Sequence, residues 1–295
     1  MIGAYYGGRL GNLFFIYAAA RALRFARGEK DSFLFNFGEA KDSLQYFNTL
    51  PYGITKDNLC LKIGSAKQII SYLWFRRFHR KLTTSDLHKL DRAGIIYTRE
   101  DYEDLSIEIP ETRNVIMRGR MEIPDYFKDI RNILLQEFTP KYPVLKQNEE
   151  FLQKIKSSNS VCVHVRRGDY MSPEFKKDFF VCDEDYFNHA ISLIMEKVDN
   201  PTFVFFSNDI NWVKNNIRVN APCLYESGND PVWETMRLMY SCKHFVISNS
   251  TLSWWAQYLS RNENKIIISP NRWFANPDWK AHFIQKEFIT LNTDI

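Results

Sequence analysis

Two adjacent arginines stand at the end of an apolar run near the middle of the chain. The segment VCVHVRRGDY, residues 161–170, starts as a predicted β-strand and then places Arg166 and Arg167 beside Asp169. Guanidinium is a permanently charged, planar group that binds phosphate through two parallel hydrogen bonds. One arginine could therefore hold a phosphate while the other pairs with Asp169, and an ion pair within the loop is the alternative. Binding is favoured, because ligands of parallel sheets bind at strand ends.

Three further loops of unusual composition also follow or precede apolar elements. GGRLGN at residues 7–12 is glycine-rich but lacks the lysine of a P-loop, so ligand approach and tight strand–helix packing are equally expected. The segment SND at residues 207–209 opens a helix. NSTLSWW at residues 249–255 offers hydroxyls and backbone N–H groups at a helix start, which suits an anion. Plain N-capping by Ser250 or Thr251 is the alternative, and the two roles are compatible.

An acidic segment, CDEDYF at residues 182–187, contains the D-x-D pattern with which many nucleotide-sugar enzymes hold a divalent metal. Here Asp183 and Asp185 fall at the start of a strongly amphipathic predicted helix, where carboxylates complement the helix dipole. We therefore expect Asp183 to cap the helix, and we predict no metal site. The arginines supply positive charge without one.

Alternating strands and helices must position these loops. The sequence predicts strands at 1–6, 32–37, 114–119, 160–165, 202–206, 244–248 and 265–269, the last closing its sheet, and helices at 13–27, after Asp125, after Asp183, after Asp209, from Asp230-Pro231 to about Cys242, and at 252–259. This order predicts parallel sheets with right-handed crossovers. The predicted fold is α/β, with two Rossmann-like domains facing a central cleft. The domains are 1–145 and 146–295, with 139–150 as the linker.

The overall composition limits the function classes. The 295 residues carry a net charge of +4, which suits an anionic small molecule or membrane surface and is too small to indicate nucleic acid. The five cysteines include no C-x-x-C pair, so a reduced cytoplasmic protein is expected. No signal peptide and no apolar run of about 20 residues is visible. The basic, aromatic stretch at 71–82 fits a helix with a solvated basic face, and peripheral contact with the inner face of a membrane is the alternative.

Several segments together carry a resemblance to a known family. They are GGRLGNLFFIYAAARAL (7–23), YFKDIRNILLQEF (126–138), HVRRGDY (164–170), FSNDINWVKNN (206–216) and MRLMYSCKHFVISNSTLSWWAQYL (236–259). The chain resembles the α-1,2-fucosyltransferase family, glycosyltransferase family 11, over most of its length and least at 38–113. It departs from the family pattern at Leu13, where glutamine is usual, and near Thr235, where an acidic residue is common.

The resemblance implies a fold and a reaction. The expected fold is GT-B-like, the donor is GDP-fucose, no metal or other cofactor is needed, and the fucose carbon is inverted. The expected product is an α-1,2 linkage, usually onto the galactose of an oligosaccharide or lipid-linked glycan, in a bacterium that builds surface polysaccharide. A transferase for another GDP-sugar and a non-catalytic GDP- or glycan-binding module are the alternatives.

The resemblance also implies that the first domain builds most of the acceptor side and that the second binds the GDP-sugar. It implies roles for individual residues as well. It places Arg166 on the pyrophosphate, His164 beside the nucleotide, Asn208 and Asp209 near guanine, Ser250, Thr251 and Ser253 near the phosphates, and Gly8, Gly11 and Asn12 in the cleft. Arg167 stays open between ligand and loop. Three residues are catalytic candidates. Arg166 stabilises the leaving group, Asp169 orients an arginine, and Glu174 has the offset at which more distant fucosyltransferases carry a glutamate, which makes it the candidate base.

Overall fold

Two compact units make up the chain. The computed structural model describes residues 1–5, 7–37, 41–54, 95–99, 114–279, 281–282 and 284–293, with backbone alone for 95–99 and 118. The first unit comprises Met1–Gln45 and Thr49–Glu137, and the second comprises Tyr46–Asn48 and Phe138–Ile295. Residues 139–150, predicted to be a linker, thus belong to the second unit. The basic stretch at 71–82 lies outside the described residues, and the domain limits stay a prediction.

The first unit contains a five-stranded parallel sheet. Its described strands and α-helices are β1 (Ile2–Tyr5), α1 (Leu10–Ala26), β2 (Phe33–Asn36), β3 (Tyr52–Ile54), β4 (Ile95–Arg99), β5 (Asn114–Arg118) and α2 (Arg131–Glu137). The strands lie in the order β3-β2-β1-β5-β4, and every pairing is parallel. The strand order reverses between β1 and β5, so the glycine turn after β1 leaves the sheet at its reversal point.

Helix α1 begins at Leu10, three residues before the predicted start at Leu13. The glycine turn is therefore shorter than predicted, and Gly11 and Asn12 are already helical. Gly8 makes this tight entry possible because its φ is +87°, a conformation that favours glycine. A β-carbon there would lie 2.8 Å from Asn12 Nδ2. These observations give Gly8 and Asn12 a structural role in the turn.

A buried polar group joins the two helices of this unit. The carboxylate of Glu137 accepts hydrogen bonds from the Tyr17 hydroxyl at 2.7 Å and from Arg21 Nε at 2.9 Å. Burial raises the pKa of Tyr17 far above its ordinary value, and the charge of Glu137 adds to that effect. Tyr17 therefore acts as a neutral donor that holds α1 against α2.

The predicted N-cap at Asp125 is wrong. Residues Pro124–Ile130 form a 3-10 turn that begins after Ile123, and no side chain caps it. Pro124 occupies the first position of the turn, where its fixed φ and missing N–H are tolerated. Asp125 lies in the first turn, and the α-helix starts only at Arg131.

The second unit contains a six-stranded parallel sheet. Its described elements are α3 (Glu149–Ser157), β6 (Asn159–Val165), α4 (Pro173–Phe179), α5 (Glu184–Lys197), β7 (Pro201–Ser207), α6 (Ile210–Asn216), β8 (Cys223–Tyr225), α7 (Val232–Tyr240), β9 (His244–Val246), α8 (Thr251–Leu259), β10 (Ile267–Pro270) and β11 (Ile289–Leu291). The strand order is β11-β10-β9-β6-β7-β8. Counted from β6, this is the order of a doubly wound nucleotide-binding fold, and it reverses between β6 and β9.

Apolar strands and helix faces fill the core of the second unit. Val161, Val163 and Val165 of β6 are fully buried, which fits a strand covered on both faces. Trp254 and Trp255 are fully buried, and the Trp255 ring meets Phe138 edge to face at a centroid distance of 5.2 Å. The free thiols of Cys162 and Cys242 are also buried. None of the helices in the described ranges is long and apolar enough to cross a lipid bilayer.

Two short strands and one helix start differ from the prediction. β8 and β11 have three residues each, too few for an alternating pattern to be recognised. β10 therefore does not close the sheet, because Ile268 of β10 pairs with Ile289 of β11. Pro231 is the N-cap residue of α7 and not its first residue. The carboxylate of Asp230 accepts a hydrogen bond from Asn148 Nδ2 at 2.8 Å instead of capping the helix.

Candidate functional site

The carboxyl ends of β6 and β9 form the reversal point of the second sheet. The two strands pair directly, with Val163 opposite Val246. Ligands of open parallel sheets bind outside such a point, where the neighbouring loops diverge. The predicted site residues of this unit all lie at or after the ends of three adjacent strands: His164, Arg166, Arg167 and Asp169 at β6, Asn208 and Asp209 at β7, and Ser250, Thr251 and Ser253 at β9.

Arg166 is held within its own loop. Its Nη2 donates to Asp169 Oδ1 at 2.5 Å, and its guanidinium carbon lies 5.3 Å from the centre of the Tyr170 ring. The Tyr170 hydroxyl donates to the Asn249 carbonyl at 3.2 Å, which links the loop after β6 to the loop after β9. The Arg166 side chain keeps 15% of its surface exposed. A fixed guanidinium that is still accessible is suited to bind an anion, and Asp169 is placed to orient it.

Arg167 is bound to a different loop. Its guanidinium carbon lies 3.8 Å from the centre of the Trp212 ring, and its Nε is 3.5 Å from Asp209 Oδ2. Its backbone N–H donates to Asn208 Oδ1 at 3.1 Å. Asn208 and Asp209 therefore hold the arginine loop in place. Their predicted contact with guanine stays a prediction.

Gly168 lies between the two arginines and Asp169, at a position where a residue with a β-carbon would clash with Asn208. Its φ is +38°, and a β-carbon built on it would lie 1.8 Å from Asn208 Nδ2. No side chain can be accommodated at that distance without moving the loop or Asn208. The backbone of Gly168 thus fixes the distance between the loops after β6 and β7.

His164 is a buried, neutral group beneath the arginine loop. Only 6% of its surface is exposed, and its Nδ1 is 3.2 Å from the Ser248 hydroxyl oxygen. Burial lowers the pKa of His164 from 6.5 to about 3, and the positive charge of Arg166 contributes to that shift. The imidazole is therefore uncharged at neutral pH, and it can offer a hydrogen bond but no positive charge to a ligand.

The lowered pKa of His164 predicts an acid-dependent loss of stability. Because the folded pKa lies below the unfolded value, the folded state disfavours the protonated ring, and stability is lost as the pH falls from 6.5 toward 3. We expect His164 to cost about 2 kcal/mol of unfolding free energy between pH 7 and pH 5. His164→Asn should lack this loss, which urea titrations of both proteins at the two pH values would measure. Equal pH dependence in the two proteins would contradict the prediction.

Glu226 titrates in the same range but with the opposite sign. Burial raises the pKa of Glu226 to about 7, with a smaller contribution from Asp230. Its contribution to stability therefore grows as the pH falls. Because Glu226 is present in both the parent and His164→Asn, the difference between them isolates His164.

The start of α8 supplies further polar groups at the reversal point. Ser250 is the N-cap residue, yet its side chain makes no capping hydrogen bond. Ser253 is fully buried, and its hydroxyl lies within hydrogen-bonding distance of the carbonyls of Ser248 and Ser250, at 3.1 and 3.0 Å. The Ser253 hydroxyl is thus engaged inside its own turn, whereas the first turn of the nine-residue α8 presents backbone N–H groups.

Two acidic residues of the prediction have clear positions. Asp183 caps α5, as predicted, because its Oδ1 accepts the Tyr186 N–H at 2.9 Å. Glu174 is exposed in the first turn of α4, eight residues after Arg166. Among the described residues, no group of three histidine, cysteine, aspartate or glutamate side chains is placed to hold a metal ion.

Sequence reasoning missed three residues that position the site. Trp212 stacks on Arg167, Ser248 faces His164, and Asn249 donates from Nδ2 to the carbonyls of Phe179 and Trp273 at 2.8 and 2.9 Å. The signal for Asn249 was present, since a buried asparagine must satisfy its amide. Its partners are distant in the sequence and could not be deduced from it.

The sequence profile of glycosyl transferase family 11 matches residues 75–292, which is well over half of the chain. The chain belongs to glycosyl transferase family 11. It is therefore a glycosyltransferase, as the sequence predicted.

Named relatives of this family 11 chain span bacteria and mammals. It is 28% identical to the "O-antigen biosynthesis glycosyltransferase WbnK" of Escherichia coli, over 96% of this chain and 98% of that protein. It is 31% identical to an "Alpha-1,2-colitosyltransferase" of Escherichia coli, over 65% and 68% of the two chains. It is 28% identical to "Galactoside alpha-(1,2)-fucosyltransferase 2" of Oryctolagus cuniculus, over 55% of this chain and 47% of that protein.

Solved structures agree with the fold of the family 11 chain. The crystal structure of NodZ alpha-1,6-fucosyltransferase soaked with GDP-fucose matches with a TM-score of 0.50 at 10% identity, covering 91% of this chain and 94% of that chain. At this identity the likeness concerns the fold alone. The predicted α/β, GT-B-like fold class is confirmed.

Proposed function

We propose that this family 11 enzyme transfers L-fucose from GDP-fucose to the 2-hydroxyl of a galactose-terminated glycan, with inversion and without a metal or other cofactor. The observation that carries the proposal is the fixed, partly exposed guanidinium of Arg166 at the reversal point of the second sheet. The names of the rabbit and bacterial relatives support the α-1,2 linkage and the sugar class. The O-antigen relative supports a polysaccharide or lipid-linked acceptor.

In the proposed reaction, the acceptor 2-oxygen forms a bond to the fucose anomeric carbon while the bond from that carbon to the diphosphate breaks. The electron pair of the broken bond goes to the leaving phosphate oxygen. Arg166 stabilises this negative charge, and the N–H groups at the start of α8 add to it. Because Asp169 already fixes Arg166, little reorganisation is needed as the charge develops. Neutral His164 donates or accepts a hydrogen bond at the nucleotide.

The proton of the acceptor hydroxyl must pass to a base. Asp169 is engaged with Arg166 through Oδ1, so its role is to orient that side chain. Glu174, exposed at the start of the helix that follows the arginine loop, is our candidate for the base. Gly8, Gly11 and Asn12 of the first unit are proposed to contribute to the acceptor side.

Colitose is a second candidate for the transferred sugar. The 31% identity to an alpha-1,2-colitosyltransferase supports it. Colitose is L-fucose without the 3-hydroxyl. A site for fucose and a site for colitose therefore need to differ only where they contact carbon 3 of the sugar. Discrimination would be strong only if the site hydrogen-bonds the 3-hydroxyl, because a missing partner leaves a buried polar group unpaired.

A donor and acceptor screen tests the proposal. We expect transfer from GDP-fucose to a β-galactoside, with NMR of the product showing an α-1,2 linkage and with full activity in excess EDTA. Faster transfer from GDP-colitose than from GDP-fucose would identify colitose as the transferred sugar. Activity that depends on added Mn²⁺ would contradict metal independence. Binding of GDP by calorimetry, without transfer to any acceptor, would indicate a non-catalytic module.

A further inference from the structure

Five aromatic rings pack against one another where the loop after β6 ends and form what we call the aromatic platform: Tyr170, Phe175, Phe179, Phe274 and Trp279. Phe179 is at its centre, with ring centroids 5.4 Å from Tyr170, 5.9 Å from Phe175, 5.8 Å from Phe274 and 5.4 Å from Trp279. Two rings at its edge are open to solvent, since Phe175 is 40% exposed and Trp279 is 42% exposed. Exposed aromatic rings that pack together beside a candidate site form an apolar patch of the kind that binds a ligand.

Hydrogen bonds hold the platform in place. The Phe179 carbonyl accepts from Asn249 Nδ2 at 2.8 Å. The Asp178 carbonyl accepts from the Ala275 N–H at 2.9 Å, and its carboxylate accepts from Asn276 Nδ2 at 3.1 Å. These bonds join α4 to the segment that carries Trp279. The exposed rings are therefore presented by a fixed framework, which lowers the entropic cost of binding.

The platform is continuous with the proposed diphosphate site. The Tyr170 ring stacks on Phe179 with an interplanar angle of 26°, and the Arg166 guanidinium lies over that same Tyr170 ring. An unbroken set of contacts thus leads from Arg166 to the exposed rings. In a transfer reaction the acceptor must lie beside the sugar that is attached to the diphosphate, which is where such a surface would contact it.

The surroundings of the exposed rings favour a sugar over a lipid surface. Glu174 precedes Phe175 and Asp278 precedes Trp279 in the sequence, and a lysine follows each ring, at Lys176 and Lys280. Charges of both signs therefore lie beside the rings in the sequence, without the cluster of lysines and arginines that binds an anionic membrane. A pyranose has an apolar C–H face that packs on aromatic rings and hydroxyls that bind carboxylates and amides.

We propose that Phe175 and Trp279 form an acceptor subsite in which a neutral pyranose ring of the acceptor glycan stacks on their exposed faces. The inference rests on the proposed function for the reaction that it serves. It also assigns part of acceptor binding to the second unit, whereas the sequence prediction assigned most of it to the first.

The test compares Trp279→Ala with Trp279→Phe and with the control Phe25→Ala, which removes an equally exposed ring from α1 in the first unit, 48% exposed. For Trp279→Ala we expect the acceptor KM to rise about tenfold, with an unchanged Kd for GDP. The acceptor KM of Trp279→Phe should rise less than that of Trp279→Ala. The acceptor KM of Phe25→Ala should equal that of the parent. Phe175→Ala is expected to act in the same direction as Trp279→Ala.

Three outcomes would overturn the subsite. The first is an acceptor KM in Trp279→Ala equal to that of the parent. The second is a Kd for GDP that rises as much as the acceptor KM, which would assign the rings to the nucleotide. The third is reduced flotation with vesicles of phosphatidylglycerol and phosphatidylethanolamine at an unchanged acceptor KM, which would assign them to a membrane.

A binding measurement separates this inference from the proposed reaction. Saturation-transfer NMR with methyl β-galactoside and GDP needs no turnover. Loss of the saturation-transfer signal from the ring protons of the galactoside in Trp279→Ala, with the signal retained in Phe25→Ala, would support the subsite. This result does not depend on which donor sugar the enzyme uses. An equal signal in both variants would overturn the subsite without affecting the proposed donor.

Discussion

Arg166→Ala is expected to lower kcat/KM for transfer from GDP-fucose by about 1000-fold or more. The Arg166 guanidinium is fixed at the reversal point of the sheet, where the proposed reaction would develop negative charge on the leaving diphosphate. Removing it leaves Asp169 in the loop as a carboxylate without its arginine partner, which adds repulsion toward the diphosphate. Because the side chain is partly exposed, thermal unfolding should change little, and steady-state kinetics with a melting curve would measure both effects.

Two comparisons sharpen the Arg166 prediction. Arg166→Lys keeps the charge but loses the planar fork, so its activity should lie between those of the alanine variant and the parent. Arg218→Ala removes one exposed arginine from the same unit, away from the three strand ends of the site, and it should keep full activity. A correctly folded Arg166→Ala enzyme with near-parental turnover would exclude the phosphate role.

Gly168→Ala is expected to reduce activity by about 100-fold or more and to lower the unfolding free energy by roughly 2 kcal/mol. The new β-carbon would lie 1.8 Å from Asn208 Nδ2, and φ at this position is +38°. The loop or Asn208 must therefore move. Arg166 and Arg167 directly precede residue 168, so a shift of the loop would displace them too. Kinetics and urea unfolding of the purified variant measure the two effects separately.

The control for Gly168 is another glycine with a positive φ. Gly28 has φ +73°, and nothing lies within 4 Å of a β-carbon built there. Gly28→Ala should therefore show backbone strain of about 1 kcal/mol with unchanged activity. Gly168→Ala/Asn208→Ala removes the clash and should regain part of the lost activity. If Gly168→Ala kept the activity of Gly28→Ala, the close approach of Gly168 to Asn208 would not be needed for activity.

The layered α/β fold and the arginine loop were predictable because they depend on local patterns. The buried valines of β6, the cap at Asp183 and the helix start near Ser250 each carry a signal within a few residues. Even there, α1 started earlier than predicted, since Gly8 and not a capping side chain sets the turn.

The contacts that shape the site were not predictable, because their partners are far apart in the chain. Trp212 and Arg167 are brought together only by the pairing of β6 with β7. The sequence predicts a helix start at Asp230-Pro231, but only the fold brings Asn148 to the Asp230 carboxylate. The edge strands β8 and β11 are too short to have a period of their own, and only their neighbours in the sheet define them.

The stack of Arg167 on Trp212 has a kinetic consequence. Together with the hydrogen bond from the Arg167 N–H to Asn208, this contact joins the loop after β6 to the loop after β7. If the nucleoside binds against the loop after β7, as proposed, its fit there would set the position of the loop after β6, where Arg166 is proposed to stabilise the leaving group. Discrimination among nucleosides would therefore show itself in the turnover number as well as in affinity.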